Sequence, residues 1–421
     1  MQSSIKLRLT VMNFLQFAVW GAYLTSMGRY LGTAGFGSEI GNFYAMQGLV
    51  SLFMPALMGI VADRWIPAQR LLGVCHMLAG MLMLGVFLYT QTDAPSYPSL
   101  FALYSLSVAF YMPTLALSNS VAYTSLDQAG LDLVKSFPPI RVFGTVGFIC
   151  TMIAVSLLGL EATSGQFAVS AIISLVLAVY AQTLPNCPTA PKGQSKSLVE
   201  ALGLRAFVLF KQRKMALFFI FSMLLGVSLQ ITNGFANPFI STFGEIPAYA
   251  DTFGVKYANI LISLSQLSET LCILLIPFAL RRFGIRRVML IAMVAWVLRF
   301  ALLGLGNPGS GVWLFLLSMI VYGVAFDFFN VSGSLFVDKE TDPSIRSSAQ
   351  GLFMIMTNGI GATLGSLGAQ AVINHFVYSQ SDTTAILAGW SMSWYIFAAY
   401  AAVVAVLFAV LFRYNTATEA K

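Results

Sequence analysis

Four ionisable side chains stand inside stretches that are otherwise apolar: Arg141, Glu269, Arg299 and Asp327. A charge at bilayer depth is costly, so such residues line a cavity, pair with one another or carry protons. The sharpest case is VYGVAFDFFNVSG (Val321 to Gly333), where Asp327 sits among aromatic and aliphatic neighbours. Tyr322 and Phe326 are spaced i, i+4, and Asp327 and Asn330 i, i+3. A helix here therefore presents an aromatic patch beside a carboxylate. The competing reading is an aspartate held permanently by a helix or loop donor.

Three further segments repeat this logic. In ISLSQLSETLCILLIP, Gln266 and Glu269 are i, i+3, with Ser265 a turn before Glu269, and the apolar run to Pro277 sets Glu269 deep. In SLQITNGFANPF, Gln230 and Asn233 share one face, and Asn237 is expected to extend that stripe by a turn. Two carboxamides together offer donors and acceptors to a polar, uncharged ligand, or else glue helices together. In FPPIRVFGTVGF, Arg141, Thr145 and Phe148 fall at i, i+4, i+7 on one face, while Gly144 and Gly147 allow close helix contact. Arg141 there either lines a cavity or snorkels to the interface. Arg299, in AWVLRFALL, is read as structural, snorkelling outward or pairing with a carboxylate in the bundle.

Burial favours a neutral acid and a nearby guanidinium an ionised one. A carboxyl whose surroundings alternate between wet and sealed is thus a natural proton carrier, and Asp327 or Glu269 is the expected coupling group. Two acids in the second half and Arg141 in the first allow an ion pair across a central cavity.

The elements that must position these residues follow from composition. The chain is 58% hydrophobic and 9% charged, with mean hydropathy +0.80. Soluble domains carry roughly a quarter charged residues, so this is an integral membrane protein. Helical spans need about 20 apolar residues each, and about twelve such runs are found. They lie near 7–30, 38–61, 71–91, 97–121, 138–160, 166–184, 214–241, 255–280, 288–306, 311–336, 348–376 and 389–412. Lys6 and Arg8 precede the first apolar run without a small-residue cleavage site, so that run is kept as a span.

Cys75, Cys150, Cys187 and Cys272 show no paired or metal-ligand spacing and read as buried thiols. His76 and His375 are too far apart to suggest a metal cluster. The net charge of +7 does not form a patch for nucleic acid. With the N-terminus in the cytoplasm, only Arg29 and Lys256 fall outside, and Arg141 and Arg299 lie within spans. The remaining Lys and Arg fall on the cytoplasmic side, the asymmetry of the positive-inside rule, with both termini cytoplasmic.

A polar stretch over 185–213 (LPNCPTAPKGQSKS, then LVEALGLRAFVLFKQRK) reads as a cytoplasmic linker ending in an amphipathic surface helix. It separates a six-helix bundle over 1–184 from a second over 214–421. Similar basic turns after the second and eighth spans, PALMGIVADRW and PFALRRFGIRR, suggest duplicated halves. GIVADR is similar to a loop motif of the major facilitator superfamily, which implies that Asp63 and Arg64 are gating residues rather than substrate ligands.

Further stretches carry a more specific likeness. They include FLQFAVWGAYLTSMGRY, FMPALMGIVAD, FPPIRVFGTVGF, VLFKQRKMALFFIFSMLLG, LQITN, SQLSETL, SMIVYGVAFDFFNVSGSLFV and RSSAQGLFMIMTNGIG. Over nearly its whole length the chain resembles the nucleoside–proton symporter family of the major facilitator superfamily. The resemblance implies an all-α membrane fold of two pseudo-symmetric six-helix bundles. It implies proton-coupled nucleoside uptake by alternating access in a bacterial inner membrane, with nucleosides and protons as partners, lipid around and a monomer at work. Carried over by motif, the nucleoside site comprises Arg141, Thr145, Phe148, Gln230, Asn233, Gln266, Glu269, Tyr322, Phe326 and Asp327. Aromatic rings suit the base, carboxamides its hydrogen-bonding edge, and a carboxylate the ribose hydroxyls.

Other readings stay open at this point: a carrier of the same superfamily for a sugar or drug, and a nucleoside facilitator that ignores protons. An enzyme is not expected, since no metal spacing, nucleophile elbow or phosphate loop stands in the sequence.

Overall fold

The computed structural model describes residues 2–189, 198–202 and 204–414, which are helical without any strand among them. Lys192, Lys196 and Lys421, which contributed to the charge asymmetry, and the centre of the expected linker lie outside the described residues. Proximity divides the chain into two compact units, Met1–Phe36 with Met46–Leu202, and Gly37–Ala45 with Gly203–Lys421.

The first unit is built from α1 (Gln2–Gly21), α2 (Met27–Thr33), the second half of α3 (Ile40–Ser51), α4 (Met54–Arg64), α5 (Ala68–Tyr89), α6 (Tyr97–Gln128), α7 (Leu133–Leu157), α8 (Gly165–Ala181) and a short α9 (Leu198–Ala201). The second holds α10 (Arg213–Leu229), α11 (Ile231–Thr242), short α12 (Pro247–Ala250) and α13 (Phe253–Lys256), then α14 (Ala258–Leu305), α15 (Val312–Glu340), α16 (Arg346–Met354), α17 (Ala362–Ile373) and α18 (Thr383–Leu411). Between α9 and α10 the amphipathic stretch winds as a 3-10 segment over Leu204–Lys211, with Ala206 and Leu209 buried and Phe207 and Val208 exposed.

Nine helical segments among the described residues are long and apolar enough to cross a membrane. One of them, α14, runs through two expected spans, for Gly284 inside it takes φ 76° and ψ 162° and folds the chain back. Only glycine adopts that backbone without strain. The first expected span is divided between α1 and α2, and the sixth is the shorter apolar helix α8. Every expected span thus falls on helix. Large apolar side chains such as Val179, Leu274 and Phe278 point outward, as lipid-facing surfaces require.

Inside the first unit, Leu9, Met12, Leu71, Leu72, Leu117, Val121 and Leu177 form a shared core of α1, α5, α6 and α8. The glycines of FPPIRVFGTVGF bring α7 onto α1 as expected: a Cβ on Gly144 would meet the Phe17 ring at 2.6 Å, and one on Gly147 the Phe14 carbonyl oxygen at 2.1 Å. In the second unit, α10 crosses the segment Ile355–Gly361 and α17 backbone to backbone at Gly226, Gly361 and Gly365. Ile355–Gly361 is π-helical, a local widening that accommodates this approach. Of the four thiols, Cys75, Cys187 and Cys272 are buried, but Cys150 is exposed, because its position on α7 faces away from α1.

Candidate functional site

In the second unit the site residues gather on α14 and α15. Gly323 lets the two helices touch, since a Cβ there would lie 2.5 Å from the Ser268 carbonyl oxygen. The Ser268 hydroxyl donates to the Ile320 carbonyl across the same seam. On this base Tyr322 and Phe326 stack, ring centroids 5.5 Å apart and planes 16° from parallel. Asp327 follows, 5% exposed, and its Oδ2 has no hydrogen-bond partner among the described residues. Gln266 hydrogen-bonds to the Tyr322 side chain, and Glu269 lies within electrostatic reach of both Tyr322 and Asp327. The i, i+3 and i, i+4 spacings therefore bring an amide, two carboxyls and two stacked rings together.

Gln230 and Asn233 also meet, the Asn233 Nδ2 donating to Gln230 Oε1 at 2.9 Å. The helix breaks at Gln230 (φ −90°, ψ −12°), and on α11, one turn beyond Asn233, Asn237 is buried with its Nδ2 donating to Asn259 Oδ1 at 3.0 Å. Asn330 turns from Asp327 and donates to the Phe326 carbonyl at 2.9 Å.

Arg299 neither snorkels nor pairs with an acid. It is 2% exposed, and no carboxylate forms an ion pair with it among the described residues. Its Nη1 donates to the Ser318 carbonyl at 2.8 Å and to Ser265 Oγ at 3.3 Å, and its Nη2 to Thr232 Oγ1 at 3.2 Å. The guanidinium carbon sits 4.4 Å from the Tyr322 ring centroid.

The first unit gathers a smaller group. Arg141, half-buried, lies with its guanidinium carbon 4.0 Å from the centre of the Phe17 ring and in electrostatic reach of Tyr111. Phe148 is buried and meets Trp20 edge-on at 6.4 Å, and Trp20 contacts Tyr111 at 6.1 Å. Thr145 lies half-buried on the same helix between them. Phe17, Trp20 and Tyr111 were not anticipated, although FLQFAVW already offered aromatic residues within the first span. Asp63 and Arg64 close α4, Asp63 half-buried and Arg64 exposed.

Behind Trp20 lies a polar knot that the sequence did not announce. Gln16 commits its Nε2 to Thr114 Oγ1 at 2.7 Å, which leaves Oε1 as an acceptor facing His76 Nε2 at 2.8 Å. His76 Nδ1 lies 2.9 Å from Ser174 Oγ, whose hydroxyl donates to the His76 backbone carbonyl at 2.9 Å. His76 is fully buried, and Tyr111 OH donates to the Gln16 carbonyl at 2.8 Å.

Comparison with known proteins agrees over the full length. The family model described as "Nucleoside H+ symporter" matches residues 3–417. The chain is 49% identical to xanthosine permease of Escherichia coli, covering 98% of this chain and 97% of that one. It is 46% identical to the nucleoside permease NupG of the same bacterium, again over 98% and 97%. The crystal structure of the nucleoside transporter NupG superposes with a TM-score of 0.89, covering 98% of this chain and 100% of that one. The crystal structure of a D-xylose–proton symporter, 14% identical, shares the fold with a TM-score of 0.69.

Proposed function

The chain belongs to the nucleoside H+ symporter family, and from that premise we propose that it takes up nucleosides together with protons by alternating access. It is a multi-pass membrane transporter and not an enzyme, in keeping with relatives that are permeases. The assigned setting is the bacterial inner membrane, with both termini cytoplasmic and a single chain as the working unit.

One observation carries the assignment of the site. Asp327 is buried with an unpartnered carboxyl oxygen, in electrostatic contact with Glu269 and one residue from a stacked aromatic pair. A buried polar atom left unsatisfied costs about 1–3 kcal/mol, so this one is kept for a ligand or a proton. In the proposed cycle Tyr322 and Phe326 take the base, and Gln230, Asn233 and Gln266 read its polar edge. Within the first unit, Arg141, Thr145 and Phe148 are the residues assigned to the ligand. Asp327 or Glu269 carries the proton, while the other holds ribose hydroxyls. Asp63 and Arg64 serve the gate.

Proteoliposomes with an imposed pH gradient, acidic outside, test this. Uridine should accumulate above its external concentration, unlabelled nucleosides should compete and sugars should not. Saturable uptake indifferent to the gradient would reduce the protein to a facilitator, and sugar competition would remove the nucleoside assignment.

A further inference from the structure

The reversal of α14 carries charge that no acid of the chain balances. Arg281, Arg282, Arg286 and Arg287 stand there, and the sequence has no aspartate or glutamate between Glu269 and Asp327. Arg286 is engaged inside the second unit, its Nε donating to the Phe412 carbonyl and its Nη2 to that of Ala409, at 2.6 Å each. These bonds tie the end of α18 to the reversal and bring Arg413, which follows Phe412, to the same turn. Arg281, Arg282, Arg287 and Arg413 are exposed, and no carboxylate pairs with any of them among the described residues. Arg281 donates through its Nε to the Pro277 carbonyl at 3.2 Å, which lays its stem along the helix. Other basic side chains at helix ends do find acids: Lys135 meets Asp132, Lys214 meets Glu340, and Arg346 meets Asp338.

The same helix offers an apolar ridge that leads up to the arginines. Leu271, Leu274, Leu275 and Phe278 are each more than half exposed, and their three- and four-residue steps continue to Arg281 and Arg282. Ile276 and Ala279, on the opposite face, are buried. At about 1.5 Å per residue the ridge from Leu271 to Arg282 is about 16 Å long. That is about one leaflet of a hydrocarbon core roughly 30 Å thick. A ridge of this length under two guanidinium groups matches a phospholipid, with an acyl chain along the ridge and the phosphate at its top. Orienting the helices in the bilayer needs only positive charge on one side, and lysine serves that purpose as well. Arginine stands at every one of these positions, and its planar fork grips a phosphate through two parallel hydrogen bonds.

We propose that the reversal of α14, with the end of α18, binds the headgroup of an anionic phospholipid. Arg281 and Arg282 hold the phosphate, and Arg287 and Arg413 add to the positive field around it. A zwitterionic headgroup brings an ammonium group of its own into that field, so the site selects lipids of net negative charge. Arg286 contributes indirectly. It occupies carbonyls at the C-terminal end of α18, whose partial negative charge would otherwise oppose a phosphate. Gly284, at φ 76°, makes the turn tight enough to set arginines on both sides of one reversal. The proposal concerns the lipid-facing surface and stands whatever solute the protein carries.

The experiment titrates the purified full-length protein in detergent with phosphatidylglycerol or phosphatidylcholine of the same acyl chains, and native mass spectrometry counts the lipid retained. The wild type should retain phosphatidylglycerol in preference to phosphatidylcholine. Arg281→Gln with Arg282→Gln should weaken phosphatidylglycerol about 25-fold, about fivefold for each basic group lost near a lipid surface, and leave phosphatidylcholine unchanged. Arg281→Lys with Arg282→Lys keeps the charge that orients the helices, so it decides if the glutamine pair fails to reach the membrane. It should bind phosphatidylglycerol several-fold more weakly than wild type, because an ammonium lacks the fork. Lys135→Gln, at an exposed lysine already paired with Asp132, should bind as wild type does. Glycerol phosphate, a headgroup charge without acyl chains, should not displace the lipid at equal concentration. Equal retention of the two lipids by wild type, or wild-type affinity in the glutamine or the lysine pair, overturns the proposal. So does a loss in Lys135→Gln as large as that in the glutamine pair, which would reduce the effect to general surface charge. Displacement by glycerol phosphate overturns it as well, and would make this a site for soluble phosphates.

Discussion

Tyr322 and Phe326 lie one over the other, rings 5.5 Å apart, in the turn that ends at Asp327. The pair is a preformed flat surface, held from behind by Arg299 and Trp296. Stacking of a base on an aromatic side chain contributes about 1–3 kcal/mol, so Tyr322→Leu or Phe326→Leu should each weaken uridine binding by about tenfold. Tyr322→Phe keeps the ring and loses only the hydrogen bond with Gln266, so its effect should be smaller. Equilibrium binding in detergent measures both, and equal losses in Tyr322→Leu and Tyr322→Phe would contradict a stacking role.

Asp327→Asn and Glu269→Gln separate proton carriage from ligand contact. The variant that removes the proton carrier should abolish gradient-driven accumulation while counterflow continues, because exchange needs no net proton movement. The variant that removes a ribose contact should weaken both. Wild-type accumulation in both variants would show that neither acid is the coupling group.

His76 should matter for folding rather than for coupling. His76→Leu leaves Gln16 Oε1 without its donor and takes from Ser174 a side-chain partner. Buried groups stranded in this way cost about 1–3 kcal/mol each. A lower thermal midpoint with an unchanged pH profile of uptake is the expected result, and a displaced profile would make His76 part of the proton path.

The ion pair of Lys256 Nζ with Asp251 Oδ1, 2.8 Å, lies in the loop before α14. The hydrogen bond and charge of Lys256 hold the Asp251 carboxyl below its ordinary value, and Asp251 holds Lys256 above its own. The stabilisation from Asp251 is therefore present above the usual carboxylate range and lost as pH falls through its lowered value. That from Lys256 is present below the usual ammonium range and lost as pH rises through its raised value. Between about pH 5 and about pH 8 neither group titrates, and both are exposed, where such pairs contribute little. Asp251→Asn should leave the uptake profile in that window unchanged, and a shift measured there would mean that this loop takes part in proton movement.

Much of this molecule is legible in one dimension because apolar runs of bilayer length leave little choice of structure. The spacing of Tyr322, Phe326, Asp327, Gln266 and Glu269 also survives folding intact, for each group lies within one uninterrupted helix. What escaped depended on contacts between distant segments. Gln230 carries no glycine or proline to mark the helix break there, and the partner of Asn237, Asn259, comes from α14, 22 residues away. His76 looked isolated because its partners come from α1 and α8, 60 and 98 residues away. Arg299 was expected at an interface or opposite an acid, yet it found carbonyl, hydroxyl and ring partners from α11, α14 and α15.

Gly284 bears on how the protein is made. The helix it interrupts counts 48 residues, about 72 Å if straight and more than twice the thickness of the hydrocarbon core. Arg281, Arg282, Arg286 and Arg287 flank the reversal, and the bilayer holds such a cluster on one side. The two arms therefore have to enter lipid together as a hairpin. The hairpin sets Ser265 of the first arm beside Arg299 of the second, 3.3 Å from its Nη1, so the buried cation finds a hydroxyl partner within its own hairpin.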